Sequence, residues 1–504
     1  MAGSELAARV REILETDAEA FADRVEREVA ELKQELSAGT FDNPQGVVGL
    51  EYEFYAVDAE TDALARVPRR LLEYVGFEKE LGLHNAEMQT SPQPLSGYGL
   101  RAQEAEVQAR LAAAQKVAVA EGLRLVSDAM WARPPVGETA GSYLADSIEE
   151  NGVRLATNMS STVRYQAMAN TEFSADMALD APGVELDADT VMPESLITSI
   201  QPHYQVPQAD DLPTYFRYAL RVAGPLLALG VNSPLFPPDL YVDDPATVLA
   251  DSPAESRIYV FESVLNPEGD PKVRFPRDFT DVEEAVDRVA ADTTVVPELQ
   301  EEPTGRFDDR FTHYRHKHGS YWRWVRPVIE GASRNSANAR IEFRPIGGQP
   351  TVRDSVAFLA AFAGLMESLP RLEHPVCSQS WETAEENFYA AANDGLEAEL
   401  RWITADGDET TDHDVLYSEL LEYARDGLEG RGVTPEDANR YLRPLRERID
   451  RGITPASWKR ERVRDRYEAG ASFEEAVWGM QTEYIAAQSD TLIEGCFADW
   501  LTDG

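Results

Sequence analysis

Glu51 and Glu53 stand two residues apart in Val47-Val48-Gly49-Leu50-Glu51-Tyr52-Glu53-Phe54-Tyr55-Ala56-Val57, a stretch otherwise built from apolar, β-branched and aromatic residues. That composition favours a strand, and along a strand residues two apart share a face. Both carboxylates are therefore aimed at one place from a rigid element. The pattern returns with basic partners in Arg340-Ile341-Glu342-Phe343-Arg344-Pro345. Alternation there puts Arg340, Glu342 and Arg344 on one face, with Ile341 and Phe343 on the other. Carboxylates and guanidiniums on one sheet face suit divalent metals and phosphates and would be costly in a core. A solvated acidic strand explains Glu51 and Glu53 alone; the recurrence favours an active site.

Two further segments fit the pattern. In Leu83-His84-Asn85-Ala86-Glu87-Met88-Gln89-Thr90-Ser91-Pro92, alternation groups Asn85, Glu87 and Gln89. In Thr198-Ser199-Ile200-Gln201-Pro202-His203-Tyr204-Gln205-Val206, it groups Gln201, His203 and Gln205. His203 reads as a metal ligand or a phosphate contact; a lone strand histidine can also be structural, and its glutamine neighbours favour the site. Several carboxylates with amides and one imidazole suit Mg²⁺ or Mn²⁺. Two scattered cysteines, Cys377 and Cys496, exclude a thiolate zinc centre. Neither a Walker-type loop nor a dinucleotide glycine fingerprint occurs, so a bound nucleotide would be held by metal ions and arginines. Arg326 and Arg334 are candidates to join Arg340 and Arg344 around phosphate, because guanidinium pairs bidentately with it. Last comes His313-Tyr314-Arg315-His316-Lys317-His318, followed by Tyr321, Trp322 and Trp324. It reads as a basic, aromatic lip that draws an anionic substrate across an acidic surface, with a second metal site as the alternative.

The elements that must position these residues are legible in outline. Residues 1–40 carry apolar positions three or four apart and predict one or two amphipathic helices. An α/β region follows, with strands near 47–57, 83–90, 123–130, 197–206 and 339–346 and helices over 101–121 and 213–231. The second helix runs into Leu229-Gly230-Val231-Asn232-Ser233-Pro234, a stop signal. Residues 235–310 are rich in proline and aspartate and read as acidic surface loops with short helices. The expected organisation is N-terminal helices over 1–40, a catalytic α+β domain over 45–375 carrying that insertion, and a helical region over 376–504.

The 504-residue chain carries 90 acidic against 47 basic residues, a formal charge of −43, and only six of the basic residues are lysine. So much like charge opposes compaction in dilute buffer. At molar salt the Debye length falls to ~3 Å and the repulsion is screened. The acid is spread along the chain instead of gathered in a tail, so it reads as adaptation to a salt-loaded cytoplasm. The same charge argues against nucleic-acid partners, and no apolar run is long enough to span a membrane. No secretory signal is visible at the N-terminus, and the two cysteines fit a reducing cytoplasm. The composition allows a homo-oligomer.

In their order, these motifs give the chain a resemblance to a known family. Gly49 to Phe54, Glu87 with Thr90, Arg164-Tyr165-Gln166-Ala167-Met168, Gln201 to Val206, Ala228 to Phe236, Ser256-Arg257, Arg340 to Arg344 and Glu386 to Ala392 together resemble the type 2 glutamate–cysteine ligases. That group includes other carboxylate–amine ligases and belongs to the wider glutamine-synthetase-like fold. The resemblance spans about residues 46–450. It implies an α+β fold with a curved antiparallel sheet, flanking helices and a helical C-terminal region. The concave face would hold ATP, Mg²⁺ and an amino-acid carboxylate. The implied activity is ATP-dependent amide formation through an acyl phosphate, with glutamate and cysteine as the default pair. Carried over residue by residue, it marks Glu51, Glu53, Glu87, His203 and Glu342 for metal, and Gln201, Gln205, Arg164, Asn232, Arg257 and Arg326 for substrate or nucleotide. Arg340 and Arg344 are marked as catalytic. The chain departs from the family at His203-Tyr204-Gln205, where members often carry His-x-His. It departs again at Ser127-Asp128-Ala129-Met130-Trp131, where many have a Gly-Thr-His-Pro-like turn. A metal-dependent hydrolase or phosphotransferase on the same fold, or a non-catalytic binding relative, are the alternatives.

Overall fold

A computed structural model describes residues 3–173, 177–266, 269–299 and 304–501. Two helices, α1 (Gly3–Leu14) and α2 (Ala18–Ser37), precede the first long strand, β1 (Val47–Asp58). Asp17 caps α2 by accepting from the backbone N–H of Glu19 and Ala20. Strand β2 (Asn85–Gln89) pairs antiparallel with one edge of β1, and β3 (Ile200–Val206) with the other. Beyond β3 lie β4 (Val325–Glu330) and β5 (Asn338–Phe343), giving the spatial order β4-β5-β3-β1-β2. Short strands at Leu64–Ala65, Glu78–Lys79, Gln93–Pro94 and Leu123–Val126 complete a curved nine-stranded antiparallel sheet.

The alternation of β1 decides the layering. Val48, Leu50, Tyr52 and Phe54 are at most 2% exposed and face the main core, while Glu51 and Glu53 face the other way. Across the apolar face lies a nearly all-buried helix, α5 (Val352–Ser368), whose Phe362 stacks on Phe343 of β5 at 4.3 Å. Also in this layer are α3 (Gly97–Ala120) and α4 (Leu212–Gly230), the latter ending at the predicted stop.

Helix α6 (His413–Gly430) crosses α5 at a glycine contact: a Cβ on Gly427 would stand 1.9 Å from the carbonyl oxygen of Gly364. Helices α7 (Pro435–Arg451), α8 (Pro455–Glu468) and α9 (Phe473–Thr491) complete the helical C-terminal region. The break expected around 405–409 is a hairpin of two short strands, Trp402–Ile403 and Glu409–Thr410, and Gly452 ends α7 at φ +63°.

Two expectations change. The strand foreseen over 123–130 ends at Val126; Ser127 to Ala132 leave the ladder and are buried, held by side chains from α9. The Ser127 backbone N–H donates to Gln488 at 3.2 Å, and Gln488 Nε2 returns a bond to the Ser127 carbonyl at 2.7 Å. Residues 235–310 do hold short helices, at Pro245–Asp251, Arg257–Ser263 and Val282–Ala291. They are not superficial, however, because Ile258, Val260, Val273, Phe275 and Phe279 enter the two hydrophobic cores. Proline and aspartate marked the loops correctly; the apolar residues between them anchor the segment. No helix among the described residues is long and apolar enough to cross a membrane.

Candidate active site

Strand register brings the polar residues together. Glu51 lies opposite Gln201 on β3 and Gln89 on β2, and Glu53 lies opposite Glu87. His203 pairs with Gly49 on one side and Glu342 on the other; Gln205 faces Arg340, and Arg326 faces Glu342. Directly opposed residues project from the same face. One sheet face therefore carries Glu51, Glu53, Glu87, Gln201, His203, Gln205, Arg326, Arg340 and Glu342.

That face opens into two neighbouring cavities. The first, about 260 Å³, is lined by Glu51, Glu53, Glu80 and Glu87 on the acidic side and by Arg164, Arg326 and Arg344 on the basic side. The second, about 300 Å³, is lined by His203, Gln205, Arg306, Glu330 and Arg340. Glu51 and Gln89 belong to both.

Within the first cavity, Gln201 connects the two signs of charge. Its Nε2 donates to Glu53 at 2.9 Å, and its Oε1 accepts from Arg344 at 2.5 Å. Glu53 also accepts the backbone N–H of Ser199 at 2.6 Å. Arg344 donates to Glu342 at 2.5 Å, and Arg326 approaches the same oxygen at 3.1 Å. Burial alone would raise the Glu342 pKa; the two guanidiniums outweigh it and hold the carboxyl well below its usual range. The opposite wall behaves differently. Burial and then the Glu80 charge push Glu53 up to about 7, against the pull of Arg344. Burial followed by Glu51 and Glu80 raises Glu87 well above an ordinary carboxylate. One wall is thus an overcrowded set of acids, the other a set of guanidiniums with one paired acid.

The expected groupings are partly redrawn. His203, Gln205 and Arg340 belong to the second cavity, where Arg340 Nε donates to His203 Nδ1 at 3.2 Å and the guanidinium also pairs with Glu330. His203 Nε2 stands 3.3 Å from Glu51, its link to the first cavity. Asn232 and Arg257 line neither cavity. Asn232 is fully buried, with Nδ2 donating to the Gly348 carbonyl at 2.7 Å and to Tyr484 at 3.1 Å. Arg257 pairs with Glu255 at 3.0 Å and donates to the Pro345 carbonyl, bracing the turn after Arg344.

The histidine cluster is not a lip. His313, His316 and His318 are 6–8% exposed and point to different partners. His313 meets Glu28 of α2 at 2.5 Å, His316 meets the Val296 carbonyl at 2.8 Å, and His318 accepts from Arg326 at 3.2 Å. His313 and His316, three apart on one helix face, both pack edge-on against Phe21 of α2, yet the hydrogen-bond partners of the three rings are separate, so proximity in sequence did not give a shared site. Arg334, expected near phosphate, instead pairs with Glu35 of α2 at 2.5 Å.

Among the described residues no three His, Cys, Asp or Glu side chains stand close enough to chelate one ion. Glu342 in particular is engaged by two arginines. The donor chemistry nevertheless fits a hard divalent cation. Glu51, Glu53, Glu80 and Glu87 share one cavity, and their mutual repulsion is what a cation would relieve.

Sequence reasoning missed Glu80, Tyr165, Glu194, Phe261 and, as a wall of the cavity, Trp322. Tyr165 lay inside a quoted motif, and Glu80 inside the acidic Glu78-Lys79-Glu80 run beside Glu87. Glu194 sits in a 3₁₀ turn, Met192–Leu196, that carries no periodic signal.

A sequence profile of glutamate–cysteine ligase family 2 matches residues 47–490. A bifunctional glutathione synthetase from Pasteurella multocida superposes with a TM-score of 0.50 at 16% identity, covering 92% of this chain and 55% of that one. The chain thus spans little more than half the length of that relative. A glutamate–cysteine ligase from Francisella tularensis in complex with AMP gives a TM-score of 0.48 at 13% identity, covering 92% of this chain and 93% of that one. No curated protein matches the chain. The profile covers nearly the whole sheet and its helices, and the chain belongs to glutamate–cysteine ligase family 2, a family of carboxylate–amine ligases.

Proposed function

We propose that the protein joins the carboxylate of an amino acid to an amine at the expense of ATP, in the manner of a glutamate–cysteine ligase. The observation that carries this reading is the meeting in one cavity of the Glu51, Glu53, Glu80 and Glu87 carboxylates with the Arg164, Arg326 and Arg344 guanidiniums, Gln201 bridging Glu53 and Arg344. An ionised carboxylate does not react with an amine. ATP phosphorylation of one carboxylate oxygen makes an acyl phosphate, with ADP leaving, and the amine nitrogen then displaces phosphate to leave an amide.

Glu51, Glu53 and Glu87 are the residues to hold Mg²⁺ or Mn²⁺, with Glu80 beside them. The bound ions would supply charge neutralisation for the nucleotide phosphates. Arg344 and Arg326 present guanidiniums to the phosphate being transferred, and Glu342 fixes both of them. Gln201 holds Arg344 in place while keeping Glu53 turned inward. The acid spread over the whole chain supports a working place in a salt-rich cytoplasm.

Purified protein in high KCl, given ATP, Mg²⁺ and L-glutamate, should release ADP only when a suitable amine such as cysteine is added. ADP release that ignores the amine would mark a hydrolase or phosphotransferase, and no release with any amine would remove the ligase reading.

A further inference from the structure

Helix α2 precedes the segment matched by the family, residues 47–490, and none of the residues marked for metal, substrate or catalysis lies on it. Its inward positions are mostly apolar: Phe21, Val25, Val29, Leu32 and Leu36. Glu28 breaks that pattern and is buried among them. A buried carboxylate is costly unless its oxygens find partners, and both partners of Glu28 lie on one short helix, Thr312–His318. Its Oε1 meets His313 Nδ1 at 2.5 Å, and its Oε2 accepts the Tyr314 backbone N–H at 2.8 Å. That helix needs an acceptor from outside, because Phe311 at its N-cap position has no side chain that can accept. Its seven residues are also too few to hold a helix without neighbours. Two bonds to successive residues fix both the height and the rotation of its first turn. Phe21 adds edge-on contacts to His313 and His316 at 5.9 and 5.8 Å. Further links from α2 are ion pairs with an exposed member, Lys33 to Asp287 at 2.7 Å and Arg334 to Glu35 at 2.5 Å. Molar salt screens such pairs.

The other end of the same helix reaches the first cavity. Arg326 Nε donates to His318 Nε2 at 3.2 Å, its Nη2 to the His318 carbonyl at 3.3 Å, and its Nη1 to Glu342 at 3.1 Å. Gly319 and Trp322, just past the helix, line the cavity beside Arg326. Tyr314 stacks on His318 at 6.1 Å, so the two ends of the helix are also joined through their rings. We propose that Glu28 is a positioning residue for the reaction: it holds the helix Thr312–His318 at its start, and the helix, through His318, sets where the Arg326 guanidinium stands. The proposal rests on the ligase reading, in which Arg326 faces the phosphate being transferred. A helix of this length spans only about 10 Å, and packed interiors transmit strain, so a tilt at Glu28 is carried to Arg326. Glu28 itself touches no substrate. Its effect belongs to the chemical step, because a guanidinium displaced by about 1 Å still lies in the cavity but no longer meets the developing charge.

Two substitutions separate reach from charge. Glu28→Asp keeps the charge but falls one carbon short of the helix. Glu28→Gln keeps the length, with a carbonyl oxygen for the Tyr314 N–H and an amide nitrogen for His313 Nδ1. In amine-dependent ADP release at high KCl, Glu28→Asp should lower kcat about ten- to a hundredfold while KM for ATP changes less than about twofold. Glu28→Gln should stay within about threefold of wild type, the scale of less than one hydrogen bond. Lys33→Ala, which cuts only an exposed pair of the same helix, should leave both constants unchanged. His318→Leu, at the far end, should lower kcat as Glu28→Asp does, and it keeps the test open if Glu28→Asp does not fold. The double variant should be no slower than the slower single one, because both break one linkage. Normal kcat in Glu28→Asp or in His318→Leu, Glu28→Gln slower than Glu28→Asp, an equal loss in Lys33→Ala, or multiplying losses in the double variant would each overturn the proposal. Failure of the ligase reading would show separately in the wild type, as ADP release that is absent or ignores the amine. Hydrogen exchange over residues 312–326 then decides the linkage without turnover: it should quicken in Glu28→Asp and not in Lys33→Ala, and no change in Glu28→Asp would overturn the proposal.

Discussion

Arg344→Lys separates geometry from charge at the position where, on the proposed function, a guanidinium would meet the phosphate to be transferred. Arg344 Nη1 already serves Gln201 and Glu342, each at 2.5 Å, so the rest of its planar fork is what remains for a ligand. Lysine carries one nitrogen. It keeps the charge beside Glu342, but it cannot hold Gln201 and Glu342 and also present a paired set of donors. The expected cost to turnover is about a hundredfold, close to 2.7 kcal/mol, the worth of one preorganised donor at a developing charge. Stability should change far less. Glu342 retains Arg326 at 3.1 Å, so about one hydrogen bond is lost, roughly 1 kcal/mol, and Tm should move by about 1 °C. The assay is ADP release at high KCl with L-glutamate and amine saturating, alongside a thermal melt of each protein. Near-normal turnover would mean that Arg344 is an internal ion-pair partner of Glu342 and no more. A collapse of Tm together with activity would mean that the pair supports the fold, not the chemistry.

Other expectations follow from single features. Burial pushes the Glu262 carboxyl up to about 7 even though Trp324 and Tyr389 donate to it. A carboxyl raised in the folded state contributes stability below its unfolded value near 4.5, and that contribution is lost as pH rises through about 7. Melting temperature should therefore fall between pH 5 and pH 8, and Glu262→Gln should flatten that slope. Gly427→Ala puts a methyl 1.9 Å from the Gly364 carbonyl oxygen; it should force α5 and α6 apart and cost about 3 kcal/mol in a denaturant titration. With a formal charge of −43, circular dichroism should show loss of structure in dilute buffer and recovery near molar KCl, where the Debye length is ~3 Å; a melt indifferent to salt would remove the halophilic reading.

How much of this was legible in sequence depends on whether the signal was periodic. Alternation in β1, β3 and β5 was enough to put Glu51, Glu53, Gln201 and Glu342 on one face, because a strand fixes side-chain direction by parity alone. Parity does not say how far along the sheet a side chain lies, so His203 and Arg340 were grouped with the first cavity and stand in the second. Nor does it reveal what pairs with what: Glu342, read from sequence as a metal donor, also receives two arginines. Glu194 was invisible because a five-residue 3₁₀ turn carries no repeat, and its partner Lys272 is far away in the chain. The His313, His316 and His318 cluster misled in the other direction, since each buried ring is taken up by an internal partner of its own, Glu28, the Val296 carbonyl and Arg326.

The account's central claim, activation of a carboxylate by phosphoryl transfer before amide formation, is tested most directly by labelling. L-glutamate carrying heavy oxygen in its side-chain carboxylate is incubated with the protein, ATP, Mg²⁺ and cysteine, and the released phosphate is analysed by mass spectrometry. Passage through an acyl phosphate leaves one labelled oxygen on each phosphate formed, in step with the amide. Phosphate that carries no label while ADP accumulates would mean that water, not the carboxylate, receives the phosphoryl group, and would contradict the claim.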